Sequence, residues 1–189
     1  MNANENPFAT DRIEELLAFR PEWCGLSWEL LEESWRRCQW RGAIIGPHGV
    51  GKTTLVQAWR SRCEAEGLEV ISLFLNQQSR TLRPEQWQLL EGSAGKVVIL
   101  DGEEQLSLWS RWRFYRTVKT RLLVTRHSRG WLPTVYRLAP SMEVLRKCIQ
   151  YAAPGYTSLL ESHLPQWWHE EQGNKRSILL RCYDRLADE

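Results

Sequence analysis

The run Gly46-Pro47-His48-Gly49-Val50-Gly51-Lys52-Thr53 meets the pattern G-x-x-x-x-G-K-[ST] at every fixed position, and few eight-residue stretches restrict a fold as far. Three glycines let the backbone turn sharply and aim several N–H groups at one point, and a helix beginning beside them adds the positive end of its dipole. Such a loop needs a strand before it and a helix after it. Both flanks comply: Gly42-Ala43-Ile44-Ile45 is an apolar run suited to a buried strand, and Leu55, Val56, Trp59 and Cys63 recur at helical spacing until Gly67. The pattern predicts a nucleoside triphosphate site built from Gly46, Pro47, His48, Gly49, Val50, Gly51, Lys52, Thr53 and Thr54. Lys52 is placed to reach the β- and γ-phosphate oxygens, and the Thr53 hydroxyl to ligate Mg²⁺.

The rest of the chain extends the strand and helix alternation. Leu68 to Leu75 is rich in strand formers, Pro84 opens a helix through Trp87, Leu89 and Leu90, and Val97-Val98-Ile99-Leu100 is a third strand ahead of Asp101. Arg121-Leu122-Leu123-Val124 and Val135-Tyr136-Arg137-Leu138 supply two more. Upstream, Thr10 or Asp11 caps a short helix carrying Ile13, Leu16 and Leu17, and Ser27 caps a second ending near Arg37. Along that second helix Trp28, Leu31, Trp35 and Cys38 form an inner stripe, with Glu32–Arg36 and Glu33–Arg37 pairs outside. Short apolar strands between helices give an α/β protein with a parallel sheet covered on both faces. From Ser141 onward only helices are predicted: one through Leu145, Cys148 and Ile149, a stretch over 156–169, and one with Ile178, Leu179, Cys182 and Leu186. The expected organisation is an N-terminal helical segment (1–40), a core (41–140) and a helical lid (141–189).

Composition narrows the class. With 189 residues, 42% hydrophobic and 25% charged, the chain is an ordinary globular protein, and its formal charge of +2 names no nucleic-acid or membrane partner. Neither a basic stretch followed by an apolar one at the start nor an apolar run near ~20 residues occurs, so no membrane partner and a cytoplasmic location are expected. Five scattered cysteines without a C-x-x-C pair point to reduced core residues. Eleven tryptophans are unusual, and the adjacent Trp167 and Trp168 cannot both face inward from one helix, which leaves one to cover a partner or a ligand.

Asp101 at a strand end suits a Mg²⁺-organising acid, and Glu103 and Glu104 follow as candidates for the acceptor that polarises an attacking water. Val97 to Leu106, reading VVILDGEEQL, resembles the extended Walker B of the STAND branch of the AAA+-related P-loop NTPases, in which an apolar strand ends in Asp-Gly and a second acid lies three places after the Asp. The resemblance selects Glu104 as the base. Leu122-Leu123-Val124-Thr125-Arg126 resembles the fourth strand of those proteins, which implies Thr125 as sensor 1, and Gly173-Asn174-Lys175-Arg176 resembles the lid motif that implies Arg176 as sensor 2. Spanning about residues 40–186, the resemblance implies a three-layer sandwich with strand order 5-1-4-3-2, a helical lid, and ATP with Mg²⁺. The receptor and repeat modules of most STAND proteins are not found in these residues, so signalling is not implied, and Gly102 stands where an acid usually follows the Asp.

Arg126 and Arg129 fall between the expected fourth and fifth strands, where the family presents an arginine finger to a neighbour's nucleotide; this implies a homo-oligomer or a different protein partner, with Arg126 as the finger. Asn6-Pro7-Phe8 is expected near the base. The stretch 111–121 interleaves cations with aromatics; a helix with an apolar inner and basic outer face is favoured over a nucleic-acid groove. The reading is therefore a small AAA+/STAND-like ATPase or nucleotide switch, with a small-molecule kinase and a non-hydrolysing nucleotide-binding module, able to contact nucleic acid, as alternatives.

Overall fold

In the computed structural model of the chain, residues 6–8 and 18–187 are described, and the helix expected around Ile13, Leu16 and Leu17 lies outside them. Among the described residues the order is α1 (Trp28–Arg37), β1 (Arg41–Ile45), α2 (Lys52–Ala65), β2 (Val70–Phe74), α3 (Pro84–Glu91), β3 (Val97–Asp101), α4 (Leu108–Thr117), β4 (Arg121–Arg126), β5 (Thr134–Arg137), α5 (Met142–Ala152), α6 (Thr157–Glu161), α7 (Leu164–Glu170) and α8 (Lys175–Ala187). The protein is α/β with one five-stranded parallel sheet in the order β2-β3-β4-β1-β5. Read from the β5 edge, that adjacency is 5-1-4-3-2. No helix among the described residues is long and apolar enough to cross a membrane.

The chain divides into two compact units: Ser27–Gly46 with Lys52–Leu138, and the segment up to Leu26 with Pro47–Gly51 and Ala139–Glu189. The first unit holds the sheet. Its central strands are buried along almost their whole length, as continuous apolar runs covered on both faces must be, and Ala43, Ile45, Val98, Leu100, Leu122 and Val124 pack with Leu90, Phe114 and Val118 from the helical layer. Helix α1 belongs here and not to a separate N-terminal segment. Trp35 donates from its indole nitrogen to the Leu122 carbonyl at 3.1 Å, and Ser34 donates to the Val135 carbonyl at 2.6 Å, which ties α1 to β4 and β5.

The tryptophan stripe of α1 meets α2 edge-on. Trp59 lies 5.9 Å from Trp28 and 5.5 Å from Trp35, in the near-perpendicular arrangement favoured by ring quadrupoles. Cys38 lies one residue past the helix, as its C-terminal cap. Of the two expected ion pairs Glu33–Arg37 forms, at 3.1 Å, while Glu32–Arg36 does not: Arg36 also turns to Glu33, at 3.0 Å, and Glu32 pairs with Arg62 on α2. Packing α1 against α2 brings Arg62 to Glu32, and tertiary proximity replaces the local pair.

In the second unit Phe8 is buried with Leu145, Ile149, Leu160 and Ile178, and the Asn6 amide donates to the Tyr183 carbonyl at 2.9 Å. Trp167 and Trp168 both pack partly against this core; Trp167 also stacks on His163 at 5.1 Å. Half-burial of both resolves the conflict that full burial of adjacent helical residues would create. Cys63, Cys148 and Cys182 are buried free thiols, pushed up by burial to about 11, about 11 and about 12 respectively.

Candidate functional site

Open parallel sheets present ligands with the carboxyl ends of their strands, where loops of several strands converge. The Gly46 N–H donates to the Arg126 carbonyl at 3.2 Å, so the loop after β1 departs from the end of β4. The loop tip takes a left-handed step at Gly49 (φ +70°), where a Cβ would stand 1.7 Å from Asn174 Oδ1. Asn174 in turn caps α8, accepting the Ser177 N–H at 3.3 Å. Only glycine lets the loop lie this close to the cap.

Lys52 opens α2 and is buried. Its ammonium donates to the Gly46 carbonyl at 2.7 Å and lies 3.2 Å from His127 Nδ1. Burial pushes the Lys52 pKa below the usual lysine range, and the charges of Glu104 and Asp101 act on it in the opposite direction. The ammonium thus sits within the field of two carboxylates. Thr53, exposed, and Thr54, half-buried, follow in the first turn.

Asp101, the last residue of β3, is buried. Its Oδ1 accepts the hydroxyl proton of Thr125, whose oxygen in turn accepts the Gly102 N–H at 2.9 Å. A hydroxyl has one proton to give, so Thr125 is committed to fixing Asp101 and the turn that follows. Asp101 Oδ2 is buried without a hydrogen-bond partner. Such an oxygen carries a desolvation cost that a cation offsets.

Gly102 shows why no acid follows Asp101. Its φ is +86°, and a Cβ would come 2.3 Å from the Leu75 carbonyl oxygen, a backbone atom with little freedom to move. Gly102→Ala is expected to destabilise the fold by about 2–3 kcal/mol, read as a lowered urea midpoint with unchanged m. An alanine variant as stable as the parent would show that the turn relaxes.

The short 3₁₀ turn Glu103–Gln105 sends neighbouring carboxylates to different places. Glu103 is fully buried: it accepts from the Tyr115 hydroxyl at 2.9 Å and pairs with Arg111 at 2.8 Å and Arg126 at 3.0 Å. Burial and the Glu103 charge push the Tyr115 hydroxyl well above its usual pKa. Glu104 Oε1 lies 2.8 Å from His127 Nε2, and its Oε2 is buried without a hydrogen-bond partner. Because Lys52 can only donate to Nδ1, the hydrogen-bond pattern assigns the imidazole proton to Nε2, which donates to Glu104. A relay runs from the Gly46 carbonyl through Lys52 and His127 to Glu104.

Lys52, Asp101, Thr125 and Glu104 are brought together, and Glu103 is turned away. Arg126 differs from expectation. It closes β4 instead of lying between strands, and its buried guanidinium holds Glu103 inside its own unit, which leaves Arg129 as the exposed arginine of the β4–β5 loop. Arg176 is exposed in the first turn of α8. His127 was not among the sequence candidates. Its signal is topological: Ile45 is paired with Arg126, so the next residue stands beside the start of the phosphate loop.

The donor set suits Mg²⁺, which takes hard oxygen ligands and is commonly held by one or two carboxylates together with substrate phosphates. Asp101 Oδ2 and the Thr53 hydroxyl are of that kind, and no cluster of three or more His, Cys, Asp and Glu able to cage a metal occurs among the described residues. Models of known protein families and curated protein sequences give no match to this chain.

Proposed function

We propose that this protein is a Mg²⁺-dependent ATPase of the P-loop class, with the three-layer sandwich and the working parts of the AAA+/STAND proteins that its sequence resembles. The observation that carries this reading is the pair of buried, unpartnered carboxylate oxygens, Asp101 Oδ2 and Glu104 Oε2, whose charges both act on the Lys52 ammonium. The neighbouring Glu103 differs in its compensation: its Oε2 also lacks a hydrogen bond but faces the Arg126 guanidinium as an ion pair at 3.0 Å, and its Oε1 is held by Tyr115 and Arg111. Asp101 Oδ2 and Glu104 Oε2 have no cation paired with them among the described residues.

Each residue then has a task. Lys52 exchanges the Gly46 carbonyl for phosphate oxygens, and loop N–H groups meet the same charge. Asp101 and Thr53 are the chain's ligands for Mg²⁺, which when bound neutralises charge on the β- and γ-phosphates. Glu104 Oε2 accepts the proton of the water that attacks the γ-phosphorus as the bond to the β–γ bridging oxygen breaks. His127 holds Oε1 and thereby aims Oε2. With Thr125 occupied by Asp101, its part is to position that acid.

Phosphate release from ATP, measured with and without Mg²⁺ and with no acceptor substrate added, tests the proposal. Asp101→Asn keeps an oxygen for Thr125 and loses the charge, so release is expected to fall on the order of 10²-fold or more. Release that persists in chelator, or that requires a second substrate as a kinase would, overturns it.

A further inference from the structure

The outer face of α4 does not conform to the basic surface expected of it. Phe114 and Val118 are fully buried on the inner side and anchor the helix, and Ser107 caps it by accepting the Ser110 N–H at 3.2 Å. On the other side Leu108, Trp109 and Trp112 are 69%, 79% and 50% exposed. The two indoles stand at 82° to one another with centroids 6.0 Å apart. Arg116 lies over Trp112 at 5.3 Å, and Arg113 over the half-buried Trp87 at 4.2 Å. An anchored helix that leaves two tryptophans in water keeps rigid aromatic faces available, with the Arg116 guanidinium beside Trp112. Arg113, one residue on, lies over Trp87 in an exposed ion pair with Glu91 at 3.7 Å that phosphates can displace.

The charge of +2 for the whole chain conceals an excess in the unit that carries α4. Ser27–Gly46 and Lys52–Leu138 together hold 17 Lys and Arg against 11 Asp and Glu, a formal +6. The occupant of this face should therefore be anionic and should offer flat rings. A second copy would set Arg113 and Arg116 against their own equivalents across a twofold contact. An acidic peptide supplies charge and lacks the stacking groups that projecting rings select.

We propose that the outer face of α4 binds single-stranded nucleic acid, with bases stacked on Trp109 and Trp112 and phosphates at Arg113 and Arg116. Fluorescence anisotropy tests this with labelled oligothymidylate and oligouridylate, longer than the ~4–16 nucleotides a small surface covers, at low and rising salt. Both are expected to bind. Trp109→Ala/Trp112→Ala should weaken binding about tenfold or more, with an unchanged circular dichroism spectrum and ATP turnover. Arg116→Gln should reduce the slope of log affinity against log salt by about 0.7. Lys52→Ala should bind the oligonucleotides as the parent does.

Absent binding at low salt, or binding indifferent to the double tryptophan substitution, overturns the proposal. So does loss of binding in Lys52→Ala, which would mean that the oligonucleotide occupies the phosphate loop. Equal competition by polyglutamate would reduce the site to charge alone. Light scattering that shows the free protein dimerising through Trp109 and Trp112 would assign the face to a second copy and reject nucleic acid. The binding outcomes do not depend on ATP hydrolysis.

Discussion

Lys52→Ala is expected to lower ATP affinity at least a hundredfold in isothermal titration while the protein stays folded. The expectation follows from two inequalities. A charge-assisted hydrogen bond contributes about 1.5–3 kcal/mol, and under the proposed function Lys52 meets more than one phosphate oxygen, so its loss reaches the upper end and converts to roughly 150-fold. Against this, the folded protein forfeits hydrogen bonds to the Gly46 carbonyl and to His127 Nδ1, about 1 kcal/mol each, and is relieved of the burial that pushes the ammonium pKa down. Lys52→Arg should fail to rescue binding, because a planar fork does not fill the place of a point charge on a straight stem. A folded alanine variant with parental affinity would remove the basis of the nucleotide reading.

The two adjacent glutamates should separate activity from stability. Glu104→Gln keeps its shape and its contact with His127 while losing the proton acceptor, so ATP still binds and kcat falls by about 10²–10⁴-fold. Glu103→Gln leaves Arg111 and Arg126 facing a neutral amide in a dry site, a loss of about 3–5 kcal/mol. In a chain of this size that is a Tm lowered by roughly 6–20 °C. Thermal melts and steady-state turnover on both variants give four numbers. Reversal of the pattern would mean that the turn after Asp101 presents the other carboxylate.

Much of this was legible because it is local. Glycine spacing, an apolar run and a following helical period sit side by side in the chain, so the phosphate loop and the strand ending in Asp101 could be read directly. The resemblance selects Glu104 over Glu103, but the physical reason is the 3₁₀ turn after Gly102, which points consecutive side chains about 120° apart, and spacing alone does not show that. His127 depends on the register between β1 and β4, a long-range pairing with no local mark. Arg126 was misplaced because an apolar run understates its strand: Thr125 and Arg126 continue β4 as polar residues whose partners lie on Asp101 and Glu103. The stretch 111–121 read as a helix with an apolar inner and a basic outer face, and only the packing of Phe114 shows that the inner side was already taken and that Trp109 and Trp112 stand outside it.

As the chain leaves the ribosome, β1 and the phosphate loop emerge early and have nothing to pair with. The neighbours of β1 are β4 and β5, while β2 and β3 can join each other as soon as both exist. Lys52 therefore waits for Arg121–Arg126 and the histidine behind it before its relay exists. A nascent chain arrested before β4 holds the loop in full and no seat for it, so under the proposed function a nucleotide could stabilise the finished protein but could not act as a template for its birth.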